Sequence, residues 1–414
     1  MSLVVEKMKN MVRILLDTNA WKVSHVRVVL RDYMQCYDAS MHSNHVHMLA
    51  ALEWLRHAQE ATGNGGVAGR YQMNKGFTDA YPETSGHIIS TLIKSGYFFH
   101  DDSYIDMAGK IIDFLLSVQM DSGAYQRGEY IPGAGQIPAV FNTGQIMLGL
   151  IAWYHEKKDQ KVLDALVRSA DWLLSVQEPD GSWEKYTYGS VKPTNYTRVA
   201  WPLLLFSQIT SDVKYEIAAS KFIDWFLTNA NFETGWVDNM GFSKEDHEAK
   251  RSLTHTLAYA YRGLFEYGIL SKRDNLIELV KKASQQIIDS FYSSDFISGV
   301  YDSDWKGIAD YTCLTGNCQL SVIWLKLFRY YDDDYFYSAA QRAMDQVKSY
   351  QILDTLNKGI RGAIAGSKPV WGGYITNAYP NWAAKFFIDA LLLLEQADAG
   401  ANPYKYDYKF FEKE

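Results

Sequence analysis

Apolar residues recur along this chain in two alternating rhythms. In stretches such as 215–227 they fall on one helical face, and the opposite face is polar and meets water. In 144–154, 199–206, 256–265, 319–328 and 382–394 the apolar character runs nearly all round. A helix of that second kind must be enclosed by protein. The amphipathic stretches carry a repeated aromatic anchor, at Trp54, Phe114, Trp172 and Trp225, with weaker copies at Phe291 and Tyr350, 53 to 66 residues apart. Six units of near-constant length predict twelve helices in an array or a closed ring. Buried helices inside amphipathic ones specify an all-α fold, an (α/α)6 toroid of six helical hairpins. The expected boundaries are 41–400 for the toroid, 1–40 for an N-terminal helical extension and 401–414 for a C-terminal tail.

Asp101-Asp102-Ser103-Tyr104, Asp212-Val213-Lys214-Tyr215 and Asp332-Asp333-Asp334-Tyr335 place carboxylates where amphipathic helices begin. There they satisfy free N–H groups and the positive helix end. Links from a buried helix to the next amphipathic one are short. The reverse links, 60–83, 120–142, 178–195, 295–315 and 351–381, run far beyond the usual handful of residues. All of these long links fall on the rim where the buried helices start, and long loops on a rigid scaffold are where function gathers.

Two turns share the pattern Gln-x-x-x-Gly-x-aromatic, Gln119 to Tyr125 and Gln177 to Trp183, with partial copies at Gly235-Trp236 and Gly299-Val300-Tyr301. This resembles the repeat of the squalene-cyclase and protein-prenyltransferase toroids, and reads physically as a clasp in which Gly permits the turn and the ring packs between hairpins. A wider resemblance covers roughly 52–394. It rests on Tyr81-Pro82-Glu83-Thr84-Ser85-Gly86-His87, Phe141-Asn142-Thr143-Gly144-Gln145, Asn195-Tyr196-Thr197-Arg198, Leu314-Thr315-Gly316-Asn317 and Tyr379-Pro380-Asn381-Trp382-Ala383. These blocks are similar to six-hairpin-glycosidase-like toroid proteins encoded beside extracellular-polysaccharide biosynthesis genes. The resemblance implies a carbohydrate context.

Composition sharpens that expectation. A net charge of −7 leaves no basic stripe for nucleic acid, while 29 Tyr and 12 Trp suit sugar stacking. Cys36, Cys313 and Cys318 match neither a disulfide framework nor a zinc spacing. With no signal-like amino terminus and no run long enough to span a bilayer, the expected location is cytoplasmic. No metal and no cofactor are expected, and the expected partner is a saccharide or lipid-linked saccharide.

At the starts of the buried helices stand Tyr81, Glu83 and His87; Asn142 and Gln145; Asn195, Tyr196 and Arg198; His255 and Tyr259; Asn317 and Gln319; and Tyr379, Asn381 and Lys385. If six such sets converge, the funnel could process an acidic, uronate-containing saccharide by proton abstraction, as a lyase or epimerase. His87 or His255 would be the base, and Tyr81, Tyr196 or Tyr259 the proton donor. Arg198, with Asn142 or Gln145, would hold the uronate carboxylate, and Asn317 and Asn381 would contact the sugar. A glycoside hydrolase instead needs two carboxyl groups across the bond, Glu83 with Asp310 or Asp79. A glycan-binding component of polysaccharide assembly needs no base. The structural alternatives are helix caps for Thr84, Asn142 and Asn195 and satisfied core histidines for His87 and His255. Zinc prenyl transfer is excluded because Asp310-Tyr311-Thr312-Cys313 has the wrong spacing and no His follows His255. Squalene-type cyclisation is excluded because 332–334 lacks the Asp-x-Asp-Asp pattern.

Overall fold

The computed structural model describes residues 12–14, 16–19, 22–37 and 42–399. The expected tail at 401–414 and residues 1–11 of the expected extension lie outside them. Twelve helices make six hairpins. The outer helices are α1 (Asn44–Glu60), α3 (Ser103–Val118), α5 (Gln160–Ser175), α7 (Val213–Leu227), α9 (Asp274–Ser294) and α11 (Asp334–Tyr350). The inner helices are α2 (Pro82–Phe99), α4 (Val140–Lys157), α6 (Thr197–Thr210), α8 (Thr254–Ser271), α10 (Leu314–Tyr331) and α12 (Asn381–Asp398). Inner helices pack in sequence from α2 to α12, and α12 returns to α2 and α1, which closes the ring. This is the (α/α)6 toroid that the two apolar rhythms specify.

Outer helices begin as expected, with Asp101, Asp212 and Asp333 each accepting a backbone N–H of the first turn through Oδ1. Inner helices approach at backbone distance. A Cβ on Gly149 of α4 would stand 2.0 Å from the Gly86 carbonyl oxygen of α2, so a side chain there would force the pair apart.

The clasp joins successive outer helices. Gln119 Nε2 donates to the carbonyls of Gly123 and of Ala165 in α5, and Gln177 Nε2 to those of Gly181 and of Ala218 in α7. Gly123 and Gly181 have φ of 92° and 90°, and a Cβ on either would lie within 2.4 Å of a carbonyl oxygen of the next outer helix. Two further copies have looser spacing. Gln59 reaches Gly65 and Met107 in α3, and Gln351 reaches Gly362 and His47, so the last clasp ties α11 back to α1. Gly299, a partial copy by sequence, packs on the Tyr311 ring and joins no such clasp.

The long links carry short strands that the helical pattern does not announce. These are β1 (Arg70–Gln72), β2 (Gly76–Phe77), β3 (Arg251–Leu253), β4 (Val300–Asp302), β5 (Thr312–Cys313), β6 (Ser367–Lys368) and β7 (Ala378–Pro380). β1 pairs antiparallel with β2 and with β7, Tyr71 facing Tyr379, so the first and last hairpins are hydrogen-bonded together. β3 pairs with β4, and β5 with β6. Loops packed on one another need partners for their backbone groups, and strand pairing supplies them. A helix Val23–Tyr33 lies before the ring; its Asp32 is buried against Lys368. Among the described residues no helix is long and apolar enough to cross a membrane.

Candidate functional site

All inner helices start at the rim that carries the long links. There the ends of α2, α4, α8 and α12 and the loops above them enclose a cavity of about 330 Å³. Tyr81, Phe141, Tyr188, Phe242, Tyr374 and Trp382 form much of its wall. Arg70, Glu83, His255 and Thr256 interrupt that aromatic surface. Neither α6 nor α10 supplies a lining residue, so four sets of helix starts converge here rather than six. Phe386 lines no part of this cavity, but its ring meets that of Tyr259 with centroids 5.9 Å apart and stacks on His87 at 5.6 Å.

Glu83 sits in the first turn of α2 and is buried. Burial raises its carboxyl from 4.5 to about 8, with Arg198 opposing. One helical turn on, His87 Nε2 lies 3.2 Å from Glu83 Oε1. Burial drives the His87 imidazole well below its usual range, and Lys385, Arg198 and His255 push the same way. At neutral pH the contact therefore joins a carboxylic acid to a neutral ring rather than two ions. Glu83 Oε1 and both His87 nitrogens make no regular hydrogen bond among the described residues.

His255, in the first turn of α8, has the opposite readiness. Its Nδ1 lies 2.9 Å from Gln319 Oε1. That oxygen only accepts, so Nδ1 carries the proton and Nε2 keeps its lone pair. Burial lowers the ring to about 4, partly countered by Gln319. The rings of Tyr259 and Tyr374 lie tilted against it, with centroids 4.3 and 5.1 Å away.

Tyr81 belongs to a relay. Asn142 Nδ2 donates to the Gln126 carbonyl, so its Oδ1 accepts from Tyr188 OH, and Tyr188 in turn accepts from Tyr81 OH at 3.0 Å. The Tyr81 proton is thus engaged, and what Tyr81 offers the cavity is an acceptor lone pair.

Of the residues singled out by sequence, Tyr81, Glu83, His255 and Tyr259 meet at this cavity. His87 and Arg198 line a separate chamber instead. Gln145 Oε1 accepts from Arg198 Nε and Nη2 at 2.9 and 2.7 Å, so this pair binds itself rather than presenting a rim anion clamp. Tyr196 is fully buried against Phe141. Asn142, Asn317 and Asn381 bond the protein's own groups, Asn317 Oδ1 accepting from Thr312 and Asn381 Nδ2 donating to Ala68 O. Asp79 and Asp310 are exposed and line no part of the cavity, so neither pairs with Glu83 there. Asn142 and Asn195 do not cap their helices; Ala139 and Tyr196 occupy those cap positions. Sequence reasoning missed Arg70, Tyr188, Phe242 and Tyr374, which sit in the links between helices, outside any helical periodicity. Among the described residues no cluster of His, Cys, Asp or Glu is placed to hold a metal. Cys313 and Cys318 are buried thiols whose ionisation burial opposes.

Known proteins place this geometry in context. The architecture is similar to an unsaturated glucuronyl hydrolase specific for heparin, with a TM-score of 0.67 and 12% identity over 85% of this chain and 97% of that one. It is also similar to cellobiose 2-epimerase from Bacillus thermoamylovorans, with a TM-score of 0.68 and 12% identity over 84% and 96%. An unsaturated glucuronyl hydrolase from Streptcoccus agalactiae aligns with a TM-score of 0.62 and 15% identity over 87% and 94%. At such identities the likeness is one of fold. No curated protein sequence matches significantly. Residues 33–302, more than half of the chain and inclusive of Glu83, His87, Arg198 and His255, match the family described as beta-L-arabinofuranosidase, GH127 catalytic domain. The six-hairpin resemblance is thereby borne out, and this carbohydrate-active toroid belongs to the beta-L-arabinofuranosidase GH127 catalytic-domain family.

Proposed function

We propose that the chain hydrolyses a glycosidic bond of a saccharide, with Glu83 as general acid and His255 as general base. The observation that carries this reading is the opposite protonation of two groups on one cavity. At pH 7 Glu83, at about 8, holds a proton, and His255, at about 4, lacks one. Groups whose environments push their pKa values apart in this way divide acid and base roles. Glu83 gives its proton to the leaving glycosidic oxygen as the C–O bond breaks. Water attacks the anomeric carbon and its proton passes to His255 Nε2; exchange with solvent then restores both groups. The aromatic walls stack the sugar faces. Family membership supports a glycosidase.

A second reading keeps the same residues and follows from the missing second carboxylate. With an imidazole as the base, His255 would remove a proton from a sugar carbon, as in epimerisation or elimination, and Glu83 or Tyr259 would protonate the other side. One experiment separates the two. Turnover of a panel of arabinosides, glucosides and uronate-containing oligosaccharides is followed by mass spectrometry in H2(18)O and in D2O. Oxygen-18 at the anomeric carbon without carbon-bound deuterium supports hydrolysis; carbon-bound deuterium or a new enol-ether absorbance supports proton abstraction. Binding of glycans without turnover of any would overturn both in favour of a binding component.

A further inference from the structure

The helix Val23–Tyr33 stands outside the twelve helices of the ring, yet it grips two segments that carry cavity residues. Its His25 is fully buried, with Nδ1 2.7 Å from the Thr18 carbonyl oxygen and Nε2 3.2 Å from the hydroxyl of Tyr71 in β1, next to Arg70. Its Asp32 reaches the 367–377 link, which carries Tyr374 and Ile375.

Asp32 is buried and divides its carboxylate between two partners. Oδ1 meets Lys368 Nζ, and Oδ2 accepts the Val370 N–H at 2.6 Å. The rings of Tyr37 and Tyr350 flank the ammonium, with centroids 4.0 and 4.7 Å away. A buried pair of this kind is costly to break, because removing either member leaves the other charged and unpaired. The link folds back on the same short stretch. Gly372 N–H donates to the Pro369 carbonyl at 2.7 Å, and Asn377 N–H to that of Val370 at 2.8 Å. Asp32 therefore pins the base of the loop. From that base Ser367 Oγ, fully buried, donates to the Tyr374 carbonyl at 2.6 Å and accepts the Tyr374 N–H at 3.0 Å. Tyr374 OH accepts Trp382 Nε1–H at 2.7 Å, and its ring centroid lies 5.1 Å from that of His255.

We propose that Asp32 is a positioning residue for the cavity: by fixing the base of the 367–377 link it sets the Tyr374 ring against His255 and keeps water from the imidazole. This rests on the reading of His255 as the base and adds what holds that base dry. Desolvation is the main cause lowering His255 to about 4, with Gln319 opposing and Arg198 adding to the lowering. Tyr259, the other ring tilted on His255, comes from the same helix α8, whereas Tyr374 comes from the link. Loosening the link uncovers one side of the imidazole while Arg198, Gln319 and Tyr259 stay in place, so the ring's pKa climbs back toward its ordinary value.

The test is an NMR titration of the His255 ring in the full chain, its signal assigned by loss in His255→Asn. Asp32→Ala should raise the midpoint by about one unit or more. Ser367→Ala cuts the same path at its far end by removing a single hydroxyl, and should raise the midpoint too; it carries the test should Asp32→Ala fail to fold. Arg27→Met severs another tie of the same helix, Arg27 to Asp354, without touching the link, and should leave the midpoint in place. A folded Asp32→Ala with an unmoved midpoint, an unmoved midpoint in Ser367→Ala, or an equal rise in Arg27→Met would each overturn the proposal. The measurement needs no turnover. A raised midpoint in a protein that turns over no saccharide keeps the positioning role and sinks the hydrolytic reading, and hydrolysis with an unmoved midpoint does the reverse.

Discussion

Glu83 Oε1 and His87 Nε2 stand 3.2 Å apart on one face of α2, and the same burial keeps the first protonated and the second neutral. An exposed pair at this helical spacing would ionise and attract. Here neither group can ionise cheaply, because Lys385, Arg198 and His255 already surround the imidazole with positive or potentially positive charge. The carboxyl is left as a proton donor facing the cavity.

A bell-shaped dependence of kcat/KM on pH follows. Activity rises as His255 loses its proton through about pH 4 and falls as Glu83 loses its own through about pH 8. Glu83→Gln should lower kcat by about 10²–10⁴-fold and remove the basic limb. A surviving basic limb in that variant would show that another group donates the proton.

Stability should carry the same titration. Between 4.5 and about 8 the folded chain holds a Glu83 proton that the unfolded chain has released, so this group's stabilising contribution is complete below pH 4.5 and lost as pH rises through about 8. Glu83→Gln, permanently neutral, should flatten that decline and exceed the parent at pH 9 by on the order of a few kcal/mol. Urea unfolding of both at pH 5, 7 and 9 checks this; parallel curves would refute the shifted carboxyl.

Gln319 fixes the tautomer of His255 by accepting from Nδ1 at 2.9 Å. Gln319→Glu puts a negative charge at that distance and should raise the imidazole, moving the acidic limb of kcat/KM upward by about one unit or more. The basic limb should stay in place. Movement of neither limb would remove His255 from the acid–base scheme.

Tyr81 presents an acceptor because Tyr188 and Asn142 consume its proton. Tyr81→Phe should therefore raise KM for the turned-over saccharide about 2–10-fold, the worth of one hydrogen bond, with kcat nearly unchanged. A large fall in kcat would instead assign Tyr81 a proton-transfer role.

The clasp can be tested apart from the site. Gly123 and Gly128 both have positive φ, 92° and 75°, but a Cβ on Gly123 meets the Arg168 carbonyl oxygen at 2.3 Å while one on Gly128 meets nothing within 4 Å. Both alanine variants incur backbone strain of about 1–3 kcal/mol. Only Gly123→Ala adds a collision with α5, so its denaturation midpoint should fall well below that of Gly128→Ala. Equal losses would mean that the clasp contributes nothing beyond φ.

The succession of amphipathic and wholly apolar stretches was enough to determine the toroid, its inner and outer layers and the rim that carries the long links. Each of these follows from local periodicity, because a helix apolar on all sides has only one place to go. The clasp glutamines at 119 and 177 were legible for the same reason, since their spacing is fixed within one turn. The copies at Gln59 and Gln351 were hidden by loops that vary in length.

The meaning of the polar helix starts was decided only in three dimensions. Glu83 and His255 look no more remarkable in the chain than Asn317 or Asn381, yet the first two face the cavity and the other two bond neighbouring backbone or hydroxyl groups. Arg198 occupies a helix start, but its Gln145 partner and the rings of Trp201 and Tyr259 hold it outside the cavity's lining. Which way a side chain faces, and how far its environment shifts its pKa, depend on atoms hundreds of residues away in sequence. Periodicity carries no record of those atoms; packing does.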